Sequence, residues 1–154
     1  MAARVLEWTR DRFTVTTDRD RLDRDVIVRF LSSSYWAENI PRGIVDKSID
    51  NSLCFGLLED NRQIGFARVV TDGATFAYLA DVFVLSEQRG AGLGKWLIEC
   101  VISHPDLQGL RRWLLGTRDA HGLYRQFGFA PLKRPEFVME IIDPDVYRGA
   151  GTRR

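Results

Sequence analysis

The chain has 154 residues, a length that suits one globular domain around one hydrophobic core. Hydrophobic residues make up 45% of it and charged residues 28%, which excludes wholesale disorder, and no apolar run reaches the roughly 18 residues of a transmembrane helix. The chain has 22 Lys and Arg residues and 21 Asp and Glu residues, which leaves a net charge of +1. Its overall charge therefore does not favour binding to nucleic acid.

Strand and helix signals alternate along the chain and predict a mixed α/β (α+β) fold, in the order β-α-α-β-β-β-α-β-α-β-β. Three neighbouring strands separated by tight turns indicate an antiparallel meander, and the third is apolar over 76–85 except at Asp81. Such a run is typical of a central strand that is covered on both faces. The predicted elements, in chain order, are a strand over 12–17, helices from 18 to about 33 and from Pro41, strands over 53–58, 63–70 and 75–85, a helix over about 93–104, a strand over 111–117, a helix over 120–127, and closing strands over 129–132 and 137–142.

A glycine-rich loop, Gln88–Lys95, separates the apolar strand from an amphipathic helix. The first backbone N–H groups of a helix have no intrahelical partner, and together with the helix dipole they form an anion site. Three alternating glycines carry no Cβ that would hold a phosphate away, and flanking Arg and Lys side chains add positive charge. A glycine turn without a ligand is the alternative. The residues predicted to bind phosphate are Arg89, Gly90, Ala91, Gly92, Leu93, Gly94 and Lys95.

The spacing of this loop excludes two common phosphate sites. A Walker loop needs glycine where Arg89 stands and Ser or Thr where Trp96 stands. The dinucleotide fingerprint needs G-x-G-x-x-G in a parallel βαβ unit, whereas this loop has G-x-G-x-G after an antiparallel meander.

The pattern that fits is Arg/Gln-x-x-Gly-x-Gly/Ala, met by residues 89–94, and with it the sequence resembles the GNAT superfamily of acyl-CoA-dependent N-acetyltransferases. A second segment is similar to the family's A-x-x-x-Y-x-x-x-G-F signature, with Ala120, Tyr124, Gly128 and Phe129 in its key positions. The order of elements agrees as well. The resemblance therefore covers about residues 12–142, the expected core of a single domain over 1–154 whose last residues, 149–154, are expected to be frayed.

The resemblance implies that the loop holds the pyrophosphate of acetyl-CoA and that the pantetheine arm lies between two splayed central strands, 76–85 and 111–117. Splaying would free backbone groups of Val82, Phe83 and Val84 to bind the pantetheine amides and the thioester carbonyl. The amine acceptor would attack the thioester directly in a ternary complex.

Two residues, Tyr124 and Asp81, are expected to act in catalysis. The family motif assigns Tyr124 as the proton donor to the departing thiolate, although its spacing also permits simple packing on the inner face of its helix. Asp81 is the single carboxylate in a buried strand, and three roles are open for it: a general base, a contact for a cationic acceptor, or a partner for a buried arginine such as Arg68. Strict alternation would put Asp81 on the face opposite Ala80 and Val82.

The acceptor side is expected in the loop between the first two helices. Tyr35 and Trp36 are large aromatic residues there, and they could line an acceptor cleft or cover the core. We therefore expect a cytoplasmic acetyltransferase that acts on a primary amine of a small molecule or peptide, as a monomer or homodimer. The cytoplasmic location is expected because the first residues lack the apolar stretch of a signal peptide. The alternative is a non-catalytic sensor that binds acyl-CoA.

Metal, nucleic-acid and membrane partners are not expected. Cys54 and Cys100 each lie in an apolar segment without metal-like spacing, and only two histidines are present, so a zinc site is not predicted.

Overall fold

One six-stranded sheet organises the fold, and its strands lie side by side in their chain order. The computed structural model describes residues 4–148; the tail predicted over 149–154 lies outside the described residues. The strands are β1 (Glu7–Arg10), β2 (Phe13–Thr16), β3 (Leu53–Glu59), β4 (Arg62–Thr71), β5 (Phe76–Val84) and β6 (Arg112–Leu115). The helices are α1 (Arg24–Ser32), α2 (Arg42–Asp50), α3 (Leu93–Ser103) and α4 (His121–Arg125).

The sheet is mixed, which confirms the predicted fold class. Strands β1 to β5 pair antiparallel with their neighbours, and β6 pairs parallel to β5. Parallel pairing requires a crossover, and α3 supplies it.

Helices cover both faces of the sheet and divide the core into two clusters. On one face α3 packs through Leu97, Ile98 and Val101 against residues of the central strands. On the other face α1 and α2 bury Ile27, Leu31, Val45 and Ile49 against Phe66 and Phe83. The apolar periods that predicted these helices therefore mark the faces that the helices bury.

The ends of the first two helices follow ordinary capping rules. The carboxylate of Asp23 accepts hydrogen bonds from the backbone N–H groups of Asp25 and Val26, so α1 begins at Arg24. Asp18, predicted to start this helix, instead caps a separate 3-10 turn over Arg19–Arg21. Pro41 immediately precedes α2, in agreement with the predicted start of the second helix.

Two predictions about the strands were wrong. The first predicted strand is the second strand of the sheet, because a short and mostly exposed strand, β1, precedes it. The closing strands predicted over 129–132 and 137–142 do not form among residues 4–148. Pro131 and Pro135 interrupt this region, and apolar residues become a strand only where another strand accepts their backbone hydrogen bonds.

Two irregularities in β5 shape the centre of the sheet. Ladder pairs join β5 to β6 only from Phe76↔Arg112 to Leu79↔Leu115, so the two strands separate after Leu79, as the expected splay requires. On the other side of β5 the register with β4 shifts between Phe66 and Arg68, where a bulge places two residues of β5 opposite one of β4.

Candidate functional site

The glycine-rich loop after β5 leaves the start of α3 open. Gly90 and Gly92 have φ angles of 91° and 75°, in the left-handed region that favours glycine, and α3 begins directly after Gly92. A Cβ added at either position would meet no heavy atom within 4 Å. Ala91 between them is exposed, whereas Leu93 buries its side chain in the core. Among residues 4–148 no side chain caps this helix, so its first N–H groups remain available to an anion.

The residues that flank the opening are positioned differently from one another. The Nε of Arg89 donates a hydrogen bond to the carbonyl oxygen of Val84 at 3.0 Å, which ties the loop to the end of β5. Lys95 is exposed on the first turn of α3. Gly94 lies within the helix, and a Cβ there would make an ordinary contact of 3.8 Å with Val84. Of the three glycines, Gly90 and Gly92 therefore have the positive φ that turns the loop, and Gly94 does not.

A cavity of about 360 Å³ lies where β5 and β6 separate. Both strands line it, β5 through residues 78–82 and β6 with the residues after it through 115–117. The α1–α2 connection closes another side with Tyr35 and Trp36, and α4 contributes Tyr124. The structure therefore brings Tyr35, Trp36, Asp81, Val82 and Tyr124 to one cavity. Phe83 and Val84 lie in the same part of β5, which pairs with β4 but not with β6, and both are buried in the core.

Asp81 reaches this cavity because of the bulge in β5. Its φ of 55° is in the left-handed region, which non-glycine residues rarely adopt, and the extra residue shifts the alternation of the strand. Leu79 packs in the α3-side cluster and Val82 packs against the same cluster, although three positions separate them. The expectation from strict alternation was therefore wrong for Ala80, which pairs directly with Arg68 and so lies on the same face as Asp81. It holds for Val82, which packs on the opposite face, although all three residues line the cavity.

The carboxylate of Asp81 is held by two donors. The Nε of Arg68 donates to Oδ2 at 2.7 Å, and the indole Nε1 of Trp36 donates to Oδ1 at 2.9 Å. A further hydrogen bond joins Arg68 Nη1 to Ser52 Oγ at 3.1 Å. The side chain of Asp81 is 10% exposed and that of Arg68 is 19% exposed, so the ion pair is largely screened from solvent. Of the three roles open from the sequence, the structure shows the partnership with Arg68.

Tyr124 is buried near the end of α4, where it lines the cavity. Burial, with a smaller contribution from the neighbouring Tyr35, raises the pKa of its phenol to about 12. The phenol is therefore protonated at any physiological pH and can donate that proton. Its ring also packs edge-on against Phe129, at 5.9 Å between centroids. Packing and proton donation are thus both compatible with its position.

The aromatic loop between α1 and α2 is attached to the loop before α4. The backbone N–H of Arg118 donates to the hydroxyl oxygen of Tyr35 at 2.9 Å, and the Arg118 guanidinium lies 3.9 Å from the centroid of the same ring. Tyr35 meets Trp36 edge-on at 5.1 Å. Sequence reasoning missed Arg118 because 83 positions separate it from Tyr35, and no local pattern indicates such a contact.

Comparison with known proteins decides the family. The Acetyltransferase (GNAT) family matches residues 3–129. The chain belongs to the GNAT family of acetyltransferases. A Gibberella zeae protein that carries acetyltransferase as a provisional name is 36% identical to it over 140 residues, which cover 76% of this chain and 78% of that protein.

Solved structures of other GNAT proteins have the same fold. The crystal structure of a GNAT-family protein from Xanthomonas campestris pv. campestris has 52% identity and a TM-score of 0.87, and the match covers 88% of this chain and 96% of that one. A GNAT acetyltransferase from Elizabethkingia anophelis, solved with acetyl-CoA bound, has 15% identity and a TM-score of 0.60, covering 79% of this chain and 78% of that one. Within residues 4–148 of this GNAT chain, none of the helices is long and apolar enough to cross a membrane.

Proposed function

We propose that this GNAT chain is one acyltransferase domain over residues 1–154, which transfers an acetyl group from acetyl-CoA to a primary amine in a ternary complex. The observation that carries the proposal is the cavity at the parting of β5 and β6, because it is lined by Tyr124 and by the part of β5 that no longer pairs with β6. The cytoplasmic location expected from the sequence stays a prediction.

The donor would bind along two stretches of backbone. The diphosphate of CoA would lie on the N–H groups at the start of α3, with Arg89 and Lys95 beside it. The pantetheine arm would then follow β5 past Val82, Phe83 and Val84, on the side where β6 no longer pairs with it. This path leads from the exposed loop toward the cavity at Ala80 and Asp81.

The reaction would need little beyond positioning and one proton donor. The amine nitrogen attacks the carbonyl carbon of the thioester, a backbone N–H of β5 stabilises the developing oxyanion, and the C–S bond then breaks. Tyr124 gives its phenolic proton to the departing thiolate, and the proton that the attacking nitrogen loses as the amide forms returns to the phenolate through water. The acceptor ammonium loses its proton to water that enters through the mouth of the cavity.

The acceptor would bind among aromatic and acidic groups. Tyr35, Trp36 and Tyr78 line the cavity, and their rings suit an amine that carries positive charge until it is deprotonated. The cavity volume of about 360 Å³ suits a small molecule or the terminal residue of a peptide.

We assign Asp81 to positioning in preference to proton abstraction. Both of its oxygens already accept hydrogen bonds, from Arg68 and from Trp36, so it holds the indole against the cavity. Its catalytic role, expected from the sequence, stays a prediction. Asp81→Asn keeps an oxygen acceptor but removes the charge, and a positioning role predicts a raised KM for the amine with an unchanged pH profile. Loss of the rising limb of that profile would instead support a base.

The proposal is tested by thiol release from acetyl-CoA against a panel of primary amines, with mass spectrometry of the acceptor. We expect CoA release that depends on the amine and an acceptor that gains one acetyl group. Tight binding of CoA without turnover on any amine would contradict the proposal and support the acyl-CoA sensor. Longer acyl donors, run in parallel, show whether acetyl is preferred.

A further inference from the structure

Two neighbouring residues of the α1–α2 connection join the separated ends of β5 and β6. The two strands stop pairing before the cavity, so that Asp81 belongs to its β5 wall and Arg118 follows its β6 wall. Trp36 is bonded to the first wall, with its indole Nε1 2.9 Å from Oδ1 of Asp81. Tyr35 is bonded to the second, with its hydroxyl oxygen 2.9 Å from the backbone nitrogen of Arg118. Adjacent residues therefore bridge the gap between the strands.

The attachment to β5 has several supports. Asp81 also accepts a hydrogen bond from Nε of Arg68 on β4, at 2.7 Å. Trp36 packs against Phe30 of α1, with 6.2 Å between ring centroids, and Phe30 stacks on Phe83 of β5 at 4.0 Å. The indole is therefore fixed to β5 by a hydrogen bond and, through Phe30, by ring packing.

The connection that carries the two aromatic residues is itself braced. Ser34 is buried, and its hydroxyl donates to the carbonyl oxygen of Leu31 at 2.7 Å while it accepts from the N–H of Ala37 at 3.1 Å. The N–H of Asn39 donates to the carbonyl oxygen of Ser32 at 2.9 Å. These bonds close the connection onto the end of α1, which is not the construction of a freely moving lid.

The attachment to the segment after β6 depends on fewer groups. Besides the hydrogen bond, the guanidinium of Arg118 lies 3.9 Å from the centroid of the Tyr35 ring. The hydroxyl of Tyr35 makes no second hydrogen bond within residues 4–148. Removing this hydroxyl would therefore loosen one side of the bridge and leave the attachment to β5 intact.

We propose that Tyr35 and Trp36 form a strap across the gap, which fixes the separation between β5 and the segment after β6 and so holds open the path for the acyl end of the donor. Neighbouring residues of a braced connection cannot move apart, so the two attachments together set the width of the gap. This role rests on the proposed function, which assigns the pantetheine arm to the same gap. Tyr35 is then a positioning residue for the donor, because a gap that is already at its bound width loses less freedom on binding.

The test compares Tyr35→Phe with the wild type in two measurements. The first is hydrogen exchange of the Arg118 amide without ligand, which should be about 3–10-fold faster in the variant because the Tyr35 hydroxyl is its acceptor. The second is titration calorimetry with acetyl-CoA and with 3′-phosphoadenosine diphosphate, which has no pantetheine arm. Loss of one hydrogen bond should weaken binding of acetyl-CoA by about 3–10-fold and leave binding of the nucleotide unchanged.

Two arginine variants give a matched comparison. Arg118→Ala removes the guanidinium from the Tyr35 ring but keeps the backbone N–H, so it should weaken binding of acetyl-CoA by about 2–5-fold. Arg12→Ala removes a similar contact, 4.9 Å from the centroid of the Phe13 ring, in the turn between β1 and β2. This control should bind acetyl-CoA as the wild type does.

Three results would overturn the proposal. Wild-type affinity for acetyl-CoA in Tyr35→Phe would limit Tyr35 to the acceptor side. An equal loss of affinity for both ligands, or a similar loss in Arg12→Ala, would indicate a general loosening of the fold. An Arg118 amide that exchanges equally fast in both proteins would show that the attachment is absent in solution. A wild-type protein that does not bind acetyl-CoA would instead contradict the proposed function, and exchange of the Arg118 amide would still decide whether the attachment exists.

Discussion

Replacing Gly92 with Glu tests whether the start of α3 is an anion site. The substitution puts a carboxylate at the opening where the CoA diphosphate would lie, so we expect CoA affinity to fall while the fold persists. Two effects must be separated for this test to be decisive, the strain in the backbone and the repulsion of the phosphates.

The strain can be taken from the geometry of the loop. Gly92 has a φ of 75°, so a residue with a Cβ costs about 1–2 kcal/mol there. No steric cost is added, because an added Cβ would meet no heavy atom within 4 Å. Gly73 is a matched control, since its φ is 71° and its surroundings are equally open, but it lies in the β4–β5 turn. Gly73→Glu should therefore lose similar stability and keep its affinity for CoA.

The repulsion can be estimated from Coulomb's law. A carboxylate about 5 Å from one phosphate charge, at an effective dielectric constant of about 20, raises the energy of the complex by about 3 kcal/mol. That corresponds to a loss of affinity of about 100-fold or more. Gly92→Gln has nearly the same shape without the charge, so it should lose less affinity than Gly92→Glu.

Titration calorimetry with CoA measures the affinity, and thermal unfolding measures the stability of each variant. We expect the wild type and Gly73→Glu to bind CoA with similar affinity, Gly92→Gln to bind it more weakly, and Gly92→Glu to bind it most weakly. Wild-type affinity in a folded Gly92→Glu protein would refute the assignment of the loop as a phosphate site.

Three further predictions concern single side chains. Tyr124→Phe should lower kcat by about 10²-fold or more with little change in CoA affinity. Because burial raises the pKa of Tyr124 to about 12, the rate of the wild-type enzyme should not fall with rising pH below a pH of about 10. A wild-type kcat in the Tyr124→Phe variant, with chemistry rate-limiting, would remove Tyr124 from the mechanism. Cys54 and Cys100 should not react with Ellman's reagent in the native protein and both should react in denaturant, because burial raises the pKa of each thiol to about 12; rapid native labelling would contradict this. Burial lowers the pKa of His104 below 6.5, so the stability that neutral His104 contributes is full above pH 6.5 and is lost as the pH falls below it. The variant His104→Asn keeps an acceptor for the Asp106 N–H, and thermal unfolding should show that it loses less stability than the wild-type protein between pH 7.5 and 5.5. An equal loss in both proteins would refute this.

Local patterns were sufficient to predict the centre of the fold. The apolar run of β5 and the glycines after it are contiguous in sequence, and their physics is local, so the central strand and the open start of α3 could both be inferred. The periods of α1, α2 and α3 likewise mark the faces that are buried.

The sequence could not show features that depend on which strands meet. The bulge at Asp81 arises from the register between β4 and β5, and it reverses the side of the strand on which Asp81 lies. The contact between Tyr35 and Arg118 joins two distant loops. The segment over 137–142 has the composition of a strand, but composition does not show whether a neighbouring strand is present to pair with it.

Chemical-shift mapping of backbone amides tests the central claim most directly, by comparing CoA with pantetheine, which has no diphosphate. CoA should shift the amides of Gly90, Gly92 and Leu93 at the start of α3 together with those of Val82 and Val84 on β5. Pantetheine should shift only those on β5. Equal shifts at the start of α3 with both ligands, or none with CoA, would contradict the account.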